Sequence, residues 1–389
     1  MRRQLPTLTL ALGFLLAGTA VQAGWQEGVT ALKAKNYEQA AKEFATVVEK
    51  QPDWAPGQRM LGQVLVKLRR TDEALTHLRK AYDLEPSDPA TQFALGQAYI
   101  VGRRYADGAS ILGKIDRSKL PVAQRGTIDQ LLAVALSKSG QSGQALTALA
   151  RAASTSPNDA KVQYQYGVAA LNSGDLTTAI QALGKSVSIK PDAKNRKALV
   201  QTLMQQGRRA KGPTKTTAYR RASTTANALV SSEASFDNLM MLAGAALGAK
   251  DFDTVLSAAD RAGRIDSSDW LPAYYMGQAY TKKAQYSSAE TVLRKALNNA
   301  SQSADRTTIW GQLGFVFEKR KAFDDAIAAY RKAGDSRAAD RVQKNKETQQ
   351  FNRDVEAQNK EIEALRAEQE ELKNQLKNLP GATDPPLLF

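Results

Sequence analysis

The sequence repeats a pattern of small, large and prolyl residues at a step of 34 residues, most clearly from Leu61 onwards. A small residue in each of two consecutive helices lets the helices approach closely, large apolar residues fill the space beside them, and proline ends the second helix. One such pair cannot bury its own apolar face, so the pattern predicts stacked copies. The first clear copy has Leu61, Gly62, Leu65, Ala74, Leu78, Ala81 and Pro86, and the next has Leu95, Gly96, Tyr99, Gly108, Leu112 and Ile115.

The prolines mark the same step along the chain. Pro52 and Pro86 are 34 residues apart, and so are Pro157 and Pro191. Pro86 and Pro157 are 71 residues apart, which is two steps and three extra residues. The copies can be followed, with variations, from about residue 21 to about residue 340.

This spacing resembles that of the tetratricopeptide-repeat superfamily, in which Leu-Gly-x2-Tyr is followed by Ala-x3-Phe and then by Pro. The resemblance covers most of the chain and is weakest between residues 194 and 235. It implies an all-α fold, namely a right-handed superhelical solenoid of about nine helix-turn-helix repeats. A long C-terminal helix is expected to follow the repeats.

The sixth repeat departs from the pattern. Its two helices are predicted at about 195–206 and 217–231, which leaves a longer connection than in the other repeats. The stretch from Gly207 to Lys215 contains two glycines and a proline, so it is predicted to be an exposed loop.

The segment between Gly334 and Pro380 contains neither glycine nor proline and is rich in helix-forming residues. It is predicted to be one helix that reaches roughly 60 Å at 1.5 Å per residue. Its first turns, with Ala338, Ala339 and Val342, are expected to cap the last repeat. Farther on, an apolar series predicts a weak coiled coil and a weak homo-oligomer. The series is Val355, Ile362, Leu365, Leu372, Leu376 and Leu379, interrupted by Gln358 and Gln369.

The N-terminus has the pattern of an export signal. Arg2 and Arg3 precede an apolar run from Leu8 to Ala17, and Val21-Gln22-Ala23 offers small residues to a signal peptidase. The residue where a lipoprotein would carry its cysteine is Thr19. The mature chain is therefore expected to start near Gly24, to be soluble in the bacterial periplasm and not to be a lipoprotein.

These observations predict six segments. They are a signal peptide (1–23), an N-terminal repeat block (24–193), a divergent basic repeat (194–235), a C-terminal repeat block with its cap (236–343), a long helix with weak coiled-coil character (344–379) and a disordered tail (380–389).

Composition excludes several kinds of chemistry. The chain has no cysteine and one histidine, His77, so disulfides, thiolate catalysis and Cys- or His-based metal sites are ruled out. The sequence also lacks a phosphate-binding Gly-rich loop of the Walker type and a nucleophile elbow. We therefore expect no enzymatic activity, no catalytic or metal-binding residues and no cofactor.

Positive charge is concentrated in one segment. Removal of Arg2 and Arg3 with the signal lowers the formal net charge from +15 to +13, and residues 193–232 contain no acidic residue. Such a segment attracts anions. In an exported protein these would be lipid head groups, glycans or acidic protein surfaces, and not nucleic acid. The alternative is a generally solubilising surface. The candidate residues are Lys194, Arg196, Lys197, Arg208, Arg209, Lys211, Lys215, Arg220 and Arg221.

The resemblance also implies a binding groove. In this family the first helix of each repeat lines the concave face, and its fifth residue points into the groove. Here the fifth positions are Trp25, Arg59, Phe93, Gln130, Tyr164, Met240, Tyr274 and Gly311, and the ninth positions include Gln63, Gln97 and Gln278. The Lys and Asn pair that clamps a terminal carboxylate in some family members is missing. The candidate partner-binding residues are Trp25, Arg59, Gln63, Phe93, Gln97, Tyr164, Tyr274 and Gln278; the alternative for each aromatic residue is packing between repeats.

Two functions follow from these features. The first is a protein–protein interaction scaffold that binds a peptide or helix of a partner in the groove. The alternative is a structural or assembly factor for an envelope complex, such as secretion, pilus, polysaccharide-export or cell-wall machinery, which docks on an anionic surface through the basic segment. The groove aromatics matter for the first function, and the basic residues and the terminal helix matter for the second.

Overall fold

The computed structural model of the chain describes residues 21–377. The predicted signal peptide lies outside this range except for residues 21–23, and Leu379 and the predicted tail (380–389) lie outside it entirely. All regular structure between residues 21 and 377 is helical. The predicted all-α fold is therefore confirmed.

The helices form successive pairs, in which each odd-numbered helix is the first helix of a pair and the following even-numbered one is the second. In chain order they are α1 (21–33), α2 (Tyr37–Lys50), α3 (Ala55–Lys67), α4 (Thr71–Leu84), α5 (Pro89–Val101), α6 (Tyr105–Gly113), a 3-10 turn (Arg117–Lys119), α7 (Val122–Lys138), α8 (Ser142–Thr155), α9 (Ala160–Ser173), α10 (Leu176–Ile189), α11 (Ala193–Arg209), α12 (Gly212–Ser232), α13 (Phe236–Ala249), α14 (Phe252–Ile265), α15 (Leu271–Lys282), α16 (Tyr286–Asn299), α17 (Ser303–Lys319), α18 (Phe323–Lys332) and α19 (Ser336–Lys377).

The chain divides into two compact units, which meet in sequence between Gln206 and Gly207, near the end of α11. In unit 1, consecutive helices from α2 to α10 are in contact; in unit 2, the same holds from α12 to α19. In unit 1, α5 contacts both α3 and α7; in unit 2, α15 contacts both α13 and α17. These first helices therefore lie side by side within their own unit.

Small residues in the first helices lie directly against large residues of the second helices. A Cβ atom added to Gly62 would lie 2.5 Å from Cγ of Leu78, and one added to Gly277 would lie 2.5 Å from Cγ of Leu293. Both leucines are fully buried. This is the close approach that the repeated pattern predicts.

Most turns between paired helices share a left-handed backbone residue. One residue between the two helices of most pairs has a positive φ, and it is glycine only at Gly140 and Gly174. The N–H of Arg70 donates to the carbonyl of Leu65 at 2.9 Å, which closes the end of α3 over the left-handed residue. The other left-handed residues in these turns are Lys35, Arg69, Arg103, Lys250, Ala284 and Lys321.

Buried amide side chains fix the connections between pairs. The side-chain N–H groups of Gln58, Gln92 and Gln163 donate to the carbonyls of Pro52, Pro86 and Pro157, at 2.7, 2.8 and 3.2 Å. All three glutamines are buried. Each bond satisfies a carbonyl in a turn that also carries the helix-ending proline.

The fourth pair replaces this amide with a buried carboxylate. Asp129 occupies the same place on α7, and its Oδ1 accepts from Nε of Arg117 at 2.9 Å and from Nη2 of Arg151 at 3.1 Å. Arg117 belongs to the 3-10 turn formed near the extra residues of this repeat. The insertion thus supplies its own partner for the buried position.

The predicted loop in the sixth repeat is wrong in its extent. Helix α11 continues to Arg209 and α12 begins at Gly212, so only residues 210 and 211 separate them. Pro213 lies in the first turn of α12, where backbone N–H groups have no intrahelical acceptor, so the proline costs the helix no hydrogen bond. Gly207 is a close-approach residue, because a Cβ atom there would lie 2.6 Å from the ring of Tyr219. The extra residues lengthen the helices.

The long terminal helix is confirmed. Helix α19 has 42 residues, and Ala338, Ala339 and Val342 are buried in a core cluster with residues of α15 to α18. From residue 350 to residue 376 every side chain is exposed. The start of α19 thus covers the last pair, and its remainder extends away from the core. Within residues 21–377, none of the helices combines the length and the apolar character needed to cross a membrane.

Candidate functional site: the first-helix face of each unit

Two adjoining cavities lie on the first-helix face of unit 1. Their volumes are about 540 Å³ and 410 Å³, and Gln63 lines both. Phe93 lines the larger cavity, and Gln97, one helical turn later on α5, lines the smaller one. The structure therefore brings together three residues of the candidate groove. The larger cavity also has Asp88, Pro89, Ala90, Leu120, Ala123, Gln124, Thr127 and Ile128; the smaller one has Leu32, Val66, Lys67, Ala94, Ile100, Val101 and Leu131.

Phe93 is placed both to pack between repeats and to contact a ligand, the two roles that the sequence left open. Its ring packs against the core cluster that contains Leu112, Ile128 and Leu132, and it stays partly exposed in the cavity wall. Helix α5 holds it there, beginning at Pro89 after the N-cap Asp88. An apolar side chain of a ligand could contact this ring without displacing it.

An ion pair lies at the edge of the larger cavity. Nε of Arg59 is 3.8 Å from Oδ2 of Asp88, and this Nε atom is buried without a hydrogen-bond partner. Partial burial works to raise the pKa of Asp88, but hydrogen bonds from Thr91 and Ala90 and the charge of Arg59 outweigh it and hold the pKa below its usual value. Asp88 is thus ionised at neutral pH, and its charge lies in the wall of the larger cavity.

Trp25 packs within the first two pairs. Its ring centroid is 5.4 Å from that of Phe44 and 4.7 Å from that of Trp54. It contacts the buried cluster formed by α2 to α6. The neighbouring cavities described above are not lined by Trp25.

Tyr164 lies at a third cavity of unit 1, of about 340 Å³, between α7, α8 and α9. Nζ of Lys194 lies 4.2 Å from the centroid of its ring, which is within the range of a cation–π contact. Oε1 of Gln165, which lines the same cavity, is buried without a hydrogen-bond partner. This site joins one candidate groove residue to one candidate anion-binding residue.

In unit 2 the two candidate groove residues lie on α15. Tyr274 packs edge-on against Trp270 at 5.4 Å, and burial raises the pKa of its hydroxyl despite a hydrogen bond with Gln278. Gln278 lines a cavity of about 660 Å³ together with Lys215, Leu247, Gly248, Lys250, Phe252, Thr281, Lys282, Gln312 and Phe315.

This cavity of unit 2 is basic. Lys215, Lys250 and Lys282 all line it, and its lining contains no carboxylate. Nζ of Lys319 lies 5.3 Å from the ring of the exposed Phe315 in the same wall. The cavity therefore suits a ligand that carries negative charge beside an apolar group.

The nine candidate anion-binding residues are divided between the units. Lys194, Arg196 and Lys197 belong to unit 1, and the other six belong to unit 2. In unit 2, Arg208, Arg209, Lys211, Lys215, Arg220 and Arg221 are all exposed. The set therefore contains two groups, and the larger one begins at the end of α11 and follows α12.

Sequence reasoning missed a series of lysines at the ends of the first helices. Lys67, Lys138 and Lys282 each line one of the cavities described above. Each follows the fifth residue of its repeat by eight positions, as do Lys33 and Lys319. This recurrence is visible in the sequence. A lysine here also interacts favourably with the negative end of the helix dipole.

Within residues 21–377, no group of three or more His, Asp or Glu side chains is arranged to hold a metal ion. His77 is half-buried, and its Nδ1 lies 2.7 Å from Oε1 of Gln58. Because an amide oxygen only accepts, Nδ1 carries the proton. Burial lowers the pKa of this imidazole, so it is neutral at pH 7.

The tetratricopeptide-repeat family pattern matches residues 59–115 and 131–194. No curated protein matches the chain in sequence. Among solved structures, a MamA protein is similar at 16% identity and a TM-score of 0.41, over 45% of this chain and 93% of its own. YrrB, described as a tetratricopeptide-repeat protein with an unusual peptide-binding site, is similar at 22% identity and a TM-score of 0.41, over 48% of this chain and 93% of its own.

A complex of Naa15 and Naa10 bound to HypK-THB is similar over 78% of this chain and 56% of its own, at 13% identity and a TM-score of 0.35. The repeated pattern, the close glycine contacts and the matches at 59–115 and 131–194 identify these two segments as tetratricopeptide repeats.

Proposed function

We propose that this protein is a non-enzymatic scaffold that binds a peptide or a helix of a protein partner on the first-helix face of unit 1. One observation carries the proposal: the two adjoining cavities share Gln63 and bring Phe93 and Gln97 to one surface. Together they offer consecutive recesses to neighbouring side chains of one ligand.

The linings suit a peptide. Phe93, Leu120 and Ile128 offer apolar contact in the larger cavity. Gln63 and Gln97 can donate to and accept from a peptide backbone, since an amide side chain does both. Lys67 at the end of α3 adds a positive charge to the smaller cavity. A partner segment with spaced apolar residues and an acidic residue matches this arrangement.

The proposed location is the bacterial periplasm. Support comes from the N-terminal pattern of Arg2 and Arg3, the apolar run and Val21-Gln22-Ala23. N-terminal sequencing of the protein from an envelope fraction should begin at Gly24 or within a few residues of it. An intact chain that starts at Met1 and stays in the cytoplasm would refute the proposed location.

The binding face can be tested by photo-crosslinking. A benzophenone side chain introduced at Gln63, at the junction of the two cavities, should capture the partner in envelope extracts. The matched control carries the same group at Thr76, an exposed residue on α4. Capture that is equal at the two positions would contradict binding on the first-helix face.

The captured segment then allows contact to be separated from packing. Gln63→Ala and Phe93→Ala should each weaken binding by roughly 1 to 3 kcal/mol. Phe93→Ala should also lower the unfolding free energy, because the ring packs on the core, whereas Gln63→Ala should leave it within about 0.5 kcal/mol of the parent. If both variants bind like the parent and only stability falls, the proposed groove is wrong.

The alternative function, docking of an envelope assembly factor on an anionic surface, is favoured by one observation. The six basic residues of unit 2 from Arg208 to Arg221 are all exposed. Neutralisation of Arg208, Arg209, Lys211 and Lys215 should then reduce binding to anionic lipid vesicles, and added salt should do the same, because exposed charges are screened within about 10 Å at 0.1 M salt. The control neutralises the exposed Arg337, Lys344, Arg353 and Lys360 of α19. Equal losses in the two variants would indicate a general charge effect.

A further inference from the structure

The outer part of α19 carries an apolar stripe that no described part of the chain covers. Six large residues on this helix are between 36% and 66% exposed. They form the α19 stripe, which consists of Phe351, Val355, Ile362, Leu365, Leu372 and Leu376.

The spacing of the α19 stripe is that of a heptad seam. From Phe351 to Leu376, with Gln358 and Gln369 included, the steps alternate between four and three residues. In heptad terms the β-branched Val355 and Ile362 occupy a positions, and Leu365 and Leu372 occupy d positions. This distribution favours two parallel strands, and the two glutamines limit the register at which the strands can meet.

The charges beside the seam select the orientation of the strands. Glu361 and Glu368 occupy g positions, and Arg366 and Lys373 occupy e positions. In a parallel, in-register pair each g residue lies beside the e residue five places later on the other strand. Glu361 then faces Arg366 of the second copy, and Glu368 faces Lys373 of the second copy. In an antiparallel pair g faces g and e faces e, so like charges would meet.

The flanking side chains are free to make these contacts. Lys373 is 3.5 Å from Glu370 on its own helix, and both side chains are about two-thirds exposed. Such a surface pair contributes little and is easily exchanged. No residue of the seam must leave a buried position, since every side chain from 350 to 376 is exposed in the single chain.

We propose that α19 binds α19 of a second copy of this chain as a parallel, in-register two-stranded coiled coil through the α19 stripe. The interaction goes beyond the proposed peptide binding, because it uses a different surface and needs no other protein. Its consequence is a dimer that carries two copies of every binding face.

The absence of cysteine from the chain makes a direct test possible. Gln358→Cys and Gln369→Cys place single thiols in the seam without removing an apolar contact. Only in a parallel, in-register dimer does each thiol meet its own equivalent, so both variants should form disulfide-linked dimers under mild oxidation. Lys360→Cys, on the outer face of the helix, is the matched control and should remain largely uncrosslinked.

Charge reversal tests the proposed orientation independently. The variant Glu361→Lys, Glu368→Lys should self-associate at least about tenfold more weakly than the parent, because two lysines per strand then face Arg366 and Lys373. Mixing it with the variant Arg366→Glu, Lys373→Glu should restore dimers that contain one copy of each. Glu356→Lys, Glu363→Lys makes the same change of charge at b positions, outside the seam, and should associate like the parent.

Sedimentation of the full chain decides the outcome. A mass about twice that of one chain, with crosslinking at both seam positions, supports the proposal. A monomer at concentrations on the order of tens of micromolar overturns it, since a four-heptad seam should associate there. A dimer that does not crosslink at Gln358→Cys or Gln369→Cys also overturns it and indicates an antiparallel or unrelated contact.

Discussion

Two glycines of the fifth pair provide the sharpest test of how the repeats pack. Gly167 lies on α9 and Gly184 on α10, both in helix interiors. A Cβ atom at Gly167 would lie 2.6 Å from Cγ and 3.0 Å from the backbone N of the fully buried Leu183. A Cβ atom at Gly184 would meet nothing within 4 Å.

The expected difference follows from these contacts. Replacement of a helical glycine by alanine stabilises by about 0.5 to 1 kcal/mol, and this gain is common to both sites. At Gly167 the methyl group must also displace Leu183 or the backbone of α10, and overpacking of this kind costs about 1 to 3 kcal/mol. Gly184→Ala should therefore be more stable than the parent, and Gly167→Ala should be about 1 to 3 kcal/mol less stable than Gly184→Ala.

Urea unfolding followed by circular dichroism measures both variants, and equal slopes show that the same surface unfolds. A double-mutant cycle with Leu183→Ala adds specificity, because the penalty at Gly167 should shrink once the leucine is shortened. If Gly167→Ala proves as stable as Gly184→Ala, the close helix approach does not determine packing in this pair.

Three further expectations concern single residues. Ala284 has a φ of 57°, in the left-handed region that favours glycine, so Ala284→Gly should stabilise the protein by about 1 kcal/mol in thermal unfolding. The control is Ala328→Gly, on the exposed face of α18, which should destabilise it by about 0.5 to 1 kcal/mol. Asp129→Asn should destabilise by roughly 1 to 3 kcal/mol in urea unfolding, because the partly exposed Arg117 and Arg151 lose their shared carboxylate, and an unchanged midpoint would show that this ion pair contributes nothing. Burial and a hydrogen bond to Glu318 raise the pKa of Tyr330 to about 12, above its value near 10 in the unfolded chain. The contribution of this hydroxyl to the unfolding free energy is therefore fully present below pH 10 and is lost as the pH rises through 12. Stability measured between pH 10 and 12 should fall less steeply in Tyr330→Phe than in the parent, and parallel curves would contradict this assignment.

The periodic part of the fold could be predicted because it depends on residue size at fixed spacing. Gly62 and Leu78 mark a close approach wherever the step recurs, and the long run without glycine or proline gives α19. The left-handed turns could not be predicted from residue type. Lys35, Arg69 and Arg103 adopt a positive φ although it is unfavourable for such residues, because packing of the two helices on either side imposes it.

The sixth repeat shows where local rules fail. Gly207, Gly212 and Pro213 all favour a break in the chain, yet Gly207 packs against Tyr219 and Pro213 lies in the first turn of α12. Here the contacts between helices outweigh the local preference for a break in the chain. The cavities could not be predicted either, because they depend on which side chains of three or four helices fail to fill the space between them.

The two proposed interactions together predict avidity. A parallel coiled coil gives each assembly two peptide-binding faces, so a surface dense in partner peptide should hold the dimer far longer than a single chain, by about 10²- to 10⁴-fold when both faces can engage. The Gln358→Cys disulfide dimer and the Glu361→Lys, Glu368→Lys variant should bind one free peptide in solution with equal affinity, because neither change touches the cavities of unit 1. On a densely coated surface the disulfide dimer should dissociate at least about tenfold more slowly, and on a sparsely coated one the difference should vanish. Equal dissociation at both densities would mean that the two faces do not act together, even if each separate interaction is real.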